Sequence, residues 1–187
     1  MQSLRDALAT RVVVADGAMG TMLQAAEPTL DDFTGHEGCN EILNVTRPDI
    51  VASVHEAYLA VGVDCIETNT FGANAANLGE YGIPERIYEL AEAGARIARE
   101  VADGFSTPEH PRWVLGSVGP GTKLPSLGHA PFAYLRDAYQ QQVAGLLAGG
   151  VDAILIETAQ DLLQAKAAVL GARRALAHAG ADIPVIA

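Results

Sequence analysis

Val151-Asp152-Ala153-Ile154-Leu155-Ile156-Glu157-Thr158 is an apolar run that stops abruptly on a carboxylate and a hydroxyl. Near-continuous Val, Ile and Leu over so short a stretch is the pattern of a parallel strand covered on both faces. The same pattern recurs before it at residues 12–15, 63–67 and 113–118, and begins again at 184–187. The polar ends are Asp16-Gly17, Thr68-Asn69-Thr70, Ser117 through Lys123, and Glu157-Thr158. An open doubly wound sheet concentrates its site at one switch point, whereas a (β/α)8 barrel gathers residues from the carboxyl ends of many strands. Four successive polar ends favour the barrel.

Helical spacing fills the gaps. Thr46 reads as an N-cap with Pro48 in the first turn, and Ile50, Val51, Val54, Tyr58 and Val61 form a stripe that Gly62 ends. Pro84 opens a second helix through Ile87, Leu90, Ile97 and Val101, closing near Gly104. A third starts at Phe132, carries Leu135, Tyr139, Val143 and Leu146, and stops at Gly149-Gly150; a fourth runs from about Asp161 to Gly180. Strand then helix, repeated, predicts an α/β fold with a parallel sheet. A full barrel usually needs about 250 residues, and this chain of 187 stops inside Ile183-Pro184-Val185-Ile186-Ala187. The expectation is a (β/α)8 TIM-barrel type fold that is incomplete, about five of eight βα units over residues 1–187, with the remaining strands absent. An open edge of this kind can pair with another copy, and a non-catalytic fragment stabilised as an edge-paired oligomer is kept as an alternative.

Twenty-three acidic side chains against 12 basic ones give a formal net charge of −11. A surface so acidic, with no basic tract, excludes nucleic acid and anionic membrane as natural partners. No apolar run approaches the roughly 20 residues that span a bilayer, and no signal-peptide core opens the chain, so a cytoplasmic location is expected. The two cysteines, Cys39 and Cys65, are too few for a disulfide framework and lack partners at metal-ligand spacing.

Five blocks carry candidate chemistry. Val14-Ala15-Asp16-Gly17-Ala18-Met19-Gly20-Thr21 ends a strand in a turn whose N–H groups can hold a carboxylate, while Asp16 can accept from an ammonium. Gly38-Cys39-Asn40-Glu41-Ile42-Leu43-Asn44 precedes the first long helix, and Cys39 there reads as structural. Ile66-Glu67-Thr68-Asn69-Thr70-Phe71-Gly72-Ala73-Asn74 clusters amides and hydroxyls at a strand end, which suits a small polar ligand. Gly116-Ser117-Val118-Gly119-Pro120-Gly121-Thr122-Lys123 misses the phosphate-loop spacing, and Pro120 removes a donor; a tight loop with Ser117 facing inward is expected instead. Glu157 follows a buried strand, where a carboxylate is costly without a cation or hydrogen bonds. Asp16 and Glu157 together could grip the ammonium of an α-amino acid, or equally serve as an acid/base pair for sugar chemistry.

In that order, the blocks Asp16-Gly17-Ala18-Met19-Gly20-Thr21, Cys39 to Asn44, Thr46-Arg47-Pro48, Glu67 to Ala73 and Leu155-Ile156-Glu157-Thr158 resemble the homocysteine-binding domain of the cobalamin-dependent methionine synthases. The resemblance runs from about Val12 to the last residue. It implies a barrel in which Asp16 and Glu157 bind the substrate ammonium, Gly17 and Ala18 N–H groups take its carboxylate, and Asn69, Thr70 and Ser117 line the pocket. It also implies a zinc ion on the homocysteine sulfur, methyl transfer from methylcobalamin to give methionine, and cobalamin-binding and folate-binding modules further along the full-length chain. The family's zinc-ligating cysteines come after strands six and eight, beyond residue 187. The expectation is therefore an amino-acid grip without the metal, inactive in methyl transfer by itself. Sibling homocysteine S-methyltransferases that use another methyl donor share the Asp-Gly turn and the Glu157 block, and form the alternative.

Overall fold

A computed structural model describes residues 2–187. In chain order it contains α1 (Leu4–Thr10), α2 (Met19–Ala25), α3 (Leu43–Thr46), α4 (Pro48–Ala60), β1 (Cys65–Glu67), α5 (Ala75–Glu80), α6 (Ile87–Phe105), β2 (Trp113–Val118), α7 (Phe132–Gly149), β3 (Ala153–Ile156), α8 (Leu162–Ala179) and β4 (Val185–Ile186). The four strands pair in parallel in the order β1-β2-β3-β4, and Ala15 bridges in parallel to Cys65 on the far side of β1. The sheet is thus wound in one direction without a reversal. That is the order of a barrel wall, since a doubly wound sheet turns back at its switch point.

The first of the expected strands shrinks to that single bridge. Val14 accepts from the N–H groups of Asp64 and Cys65, and Asp16 donates to Cys65. The Val14 N–H, however, is taken by the Asp64 carboxylate at 2.9 Å instead of by a neighbouring strand. With a partner on one side only, the segment cannot build a ladder. Thr46 also departs from expectation. It is the last residue of α3, its hydroxyl donates back to the Ile42 carbonyl, and Arg47 holds the N-cap position of α4 with Pro48 as first helical residue. Val61 lies beyond the helix and is exposed. The two long helices α7 and α8 fall where their stripes predict, each closed by a left-handed glycine, Gly150 or Gly180.

Strand alternation divides the core. Ile66, Val114, Val118, Ile154 and Ile156 point outward into alanine-rich faces of α6, α7 and α8. Cys65, Trp113, Leu115 and Ala153 point the other way, where Leu4 and Ala7 of α1 pack beneath them. Continuing that inner parity toward the carboxyl ends brings Glu67, Ser117 and Glu157 onto one face, above the apolar layer. The site follows from this parity. No helix among the described residues is long and apolar enough to cross a membrane.

Candidate functional site

At the carboxyl ends of the strands lies a cavity of about 510 Å³ lined by residues from every part of the mouth: Gly17 and Ala18, Asn40 and Glu41, Glu67 and Asn69, Phe71, Ser117 and Glu157 among them. Each is held by its own element. Ser117 Oγ donates to Glu157 Oε1 at 2.6 Å, and Ser117 N–H donates to Thr68 Oγ1 at 3.0 Å. Thr158, immediately after Glu157, adopts a left-handed φ of 56°. For a β-branched residue that is strained backbone, of the kind that collects at functional sites. Asn69 donates to the Asn40 carbonyl and to Asn44 Oδ1, both at 2.9 Å, while Asn44 returns a bond to the Asn69 carbonyl at 2.8 Å. This closed amide network pins the loop after β1 to the loop before α3.

Gly17 works through space more than through conformation. It is not among the positive-φ glycines, but a Cβ there would lie 3.3 Å from Tyr58 Oη. Tyr58 in turn donates to the Ala18 carbonyl at 3.1 Å and so fixes the turn. Gly17 and Ala18 N–H groups have no hydrogen-bond partner among the described residues. They remain free to donate into the cavity.

The electrostatics are one-sided. Both Asp16 carboxylate oxygens accept from the Glu67 N–H, at 3.0 and 3.1 Å. Burial, opposed by those backbone bonds and reinforced by the charge of Glu157, pushes the Asp16 carboxyl up to about 7. Glu67 shares the cavity wall with Glu157, and burial followed by the charges of Glu157 and Asp16 pushes its carboxyl up to about 7 as well. Glu41, almost fully buried, accepts from Gly72 N–H at 2.7 Å and meets the Cys39 thiol at 3.6 Å; burial raises its carboxyl too. None of the described residues lining the cavity is Lys, Arg or His. An unbalanced group of carboxyls beside free N–H donors is suited to a ligand carrying its own cation next to an anion.

Of the seven residues expected at the site, Gly17, Ala18, Asn69, Ser117 and Glu157 line the cavity. Asp16 sits behind that lining, half-buried against the Glu67 backbone. Thr70 does not reach the cavity. It is fully buried, bonded to Thr68 Oγ1 at 2.6 Å and to the Ser117 carbonyl at 2.8 Å, and so ties β1's loop to β2. Those two bonds engage its hydroxyl inside the fold. Sequence reasoning overlooked Glu67 and Glu41 as members of the site. Glu67 could have been found by strand parity, because it occupies the same inner position as Ser117 and Glu157; Glu41 stood within the Cys39–Asn44 block, but nothing in its spacing distinguished it from its neighbours.

Among the described residues, no three His, Cys, Asp or Glu side chains are grouped so as to hold a metal ion. Cys39 and Cys65 are free and buried, and burial pushes each thiol up to about 12, opposite to what a metal-bound thiolate needs. The described residues do not fit a zinc ion.

A family model described as homocysteine S-methyltransferase matches residues 13–187. The chain is 60% identical over 184 residues to methionine synthase of Mycobacterium tuberculosis and 60% identical over 182 residues to that of Mycobacterium leprae. It spans 15% of the length of each of these relatives, while they cover 98% and 97% of it. Among solved structures it is similar to the homocysteine methyltransferase MmuM from Escherichia coli. The metallated form gives a TM-score of 0.69 at 22% identity, covering 96% of this chain and 64% of that one. The oxidised form gives 0.71 at 23%, covering 98% and 64%. At these identities the likeness shows the shared fold.

Proposed function

The chain belongs to the homocysteine S-methyltransferase family, and from that premise we propose that its cavity is the amino-acid grip of a methionine synthase, holding homocysteine for methylation on sulfur. The observation that carries this reading is the pairing, in one cavity without a basic side chain, of converging carboxyls with two free backbone donors. An α-amino acid presents the complementary pair, an ammonium beside a carboxylate. Glu157, oriented by Ser117, and Asp16 behind it receive the ammonium; the N–H groups of Gly17 and Ala18 receive the carboxylate; Asn69 shapes the wall. Sugar chemistry, with Asp16 and Glu157 as the acid/base pair, is the weaker reading, because Phe71 is the one aromatic among the described lining residues and a sugar ring would lack stacking partners.

Residues 1–187 form, on this reading, the N-terminal part of a homocysteine-binding barrel in a cytoplasmic enzyme. The zinc ion that activates the thiol, the cobalamin that supplies the methyl group, and the folate-binding and cobalamin-binding modules belong to the full-length protein. The 187-residue chain by itself is expected to be inactive in methyl transfer. The test is binding of L-homocysteine to the intact protein, measured by calorimetry, for the wild type and for Glu157→Gln and Asp16→Asn. Loss of one charge-assisted bond predicts about tenfold or greater weakening in each variant. Unchanged affinity in both would remove the grip from these residues.

A further inference from the structure

Three carboxyls meet where one ammonium is expected, and one of them has no part in the reading above. Glu67 ends β1 on the inner face, half-buried, lining the same cavity as Glu157 and giving its own N–H to Asp16. Neighbouring carboxyls on the wall of a half-buried cavity without a cation do not both ionise readily; one holds a proton. Ser117 donates to Glu157 Oε1 at 2.6 Å, and burial with the neighbouring charges raises the Glu67 carboxyl, so the proton of the pair sits on Glu67. The other charged group acting on Glu67 is Asp16, from the segment after the bridge; Glu41 lines the same cavity, and no described lining residue supplies a positive charge.

We propose that Glu67 is a third member of the ammonium grip: it holds a proton against the Glu157 carboxylate while the cavity is empty and gives that proton to solvent when the ligand's ammonium arrives. The inference rests on the amino-acid reading of the site and adds its proton linkage. The balance is simple. The Glu67 O–H bond breaks, the proton goes to buffer, and the incoming N–H donors of the ammonium take its place between the two carboxylates. The cavity thereby avoids exposing three bare charges to one another when empty, yet offers full anionic character to a cationic ligand. It also discriminates: a ligand with a neutral nitrogen, such as an amide, cannot displace the proton. Since both Glu67 and Asp16 are pushed up to about 7, the ionised, ligand-ready form of the site builds up as pH rises through neutrality.

The experiment uses the intact protein and L-methionine, which has the ammonium and carboxylate but no thiol proton of its own. Calorimetry in buffers of differing ionisation heat counts the protons released on binding for the wild type and Glu67→Gln, whose amide mimics the protonated acid. At pH 6 the wild type is expected to release about one proton more than E67Q, and the difference disappears by pH 8.5. Between those pH values wild-type affinity rises about tenfold more than that of E67Q. Equal proton counts and parallel pH profiles in two well-folded, ligand-binding proteins overturn the proposal. Should E67Q not fold, carbon NMR of the wild-type Glu67 carboxyl decides instead: a midpoint near 7 that vanishes on adding L-methionine supports it, and an ordinary carboxylate midpoint overturns it. If neither L-methionine nor L-homocysteine binds the wild type at any pH, the amino-acid reading itself falls, and the linkage with it.

Discussion

His55 is fully enclosed on α4, and neither ring nitrogen meets a hydrogen-bond partner among the described residues. Burial pushes its imidazole from 6.5 down to about 4. Above pH 6.5 the ring is neutral in both the folded and unfolded chain, and stability carries no cost from it. As pH falls below 6.5 the unfolded chain binds the proton first, so stability drains away until the folded pKa is passed. The linkage amounts to about 2 kcal/mol at pH 5 and about 3 kcal/mol at the bottom of the window. His55→Met is therefore expected to narrow, by about 2 kcal/mol, the gap between unfolding free energies measured in denaturant at pH 7.5 and pH 5. An unaltered gap would mean that His55 finds a partner on folding. The residue scale also shows where sequence reading stops. Asp16, Ser117 and Glu157 were legible because each follows an apolar run, but Thr70, in an equally polar stretch, spends its hydroxyl inside the fold, and nothing in the string Thr68-Asn69-Thr70 tells the two fates apart.

Between elements, the helices approach one another through positions that only glycine allows. A Cβ on Gly171 of α8 would fall 2.6 Å from the Arg136 carbonyl and 2.9 Å from the Gln140 nitrogen, and one on Gly145 of α7 would fall 2.5 Å from the Tyr88 carbonyl. These are backbone atoms and cannot swing aside. Gly171→Ala and Gly145→Ala are each expected to cost about 1–3 kcal/mol in denaturant unfolding, despite alanine's better helix propensity. A stabilising alanine at either place would show that the helices can slide apart freely. The edge segment depends on a different device. Asp64 accepts from Arg11 twice at 2.8 Å and from Val14 N–H, which holds residues 12–15 against β1 and so positions Asp16. In Asp64→Ala, amide exchange at Val14 and Asp16 should accelerate at least tenfold while the β2–β3 amides stay protected. Uniform acceleration would make Asp64 a global rather than a local brace. The four long helices and the central strands were readable from periodicity, whereas α1, α2 and α5 are short, and α1 is placed by packing under Trp113 and Ala153. No local pattern announces that kind of placement.

Across the whole molecule, the described sheet presents two edges: residues 12–15 pair only with β1, and β4 pairs only with β3. Val12 is 83% and Val14 52% exposed on the first of them. Unshielded parallel edges of this kind favour association, so the 187-residue chain in isolation is expected to form dimers or larger species by light scattering, and a stable monomer at tens of micromolar would contradict edge pairing. The same one-directional winding that leaves these edges also brings Asp16, Glu67, Ser117 and Glu157 to one mouth from four successive strand positions, and the proposed amino-acid grip rests on that geometry. Its most direct test is a crystal structure of the intact protein with L-homocysteine bound. The ammonium nitrogen is expected within hydrogen-bond distance of the Glu157 and Asp16 carboxylates, with the ligand's carboxylate on the N–H groups of Gly17 and Ala18. A ligand whose ammonium lies away from both acids, or outside this cavity altogether, would contradict the account.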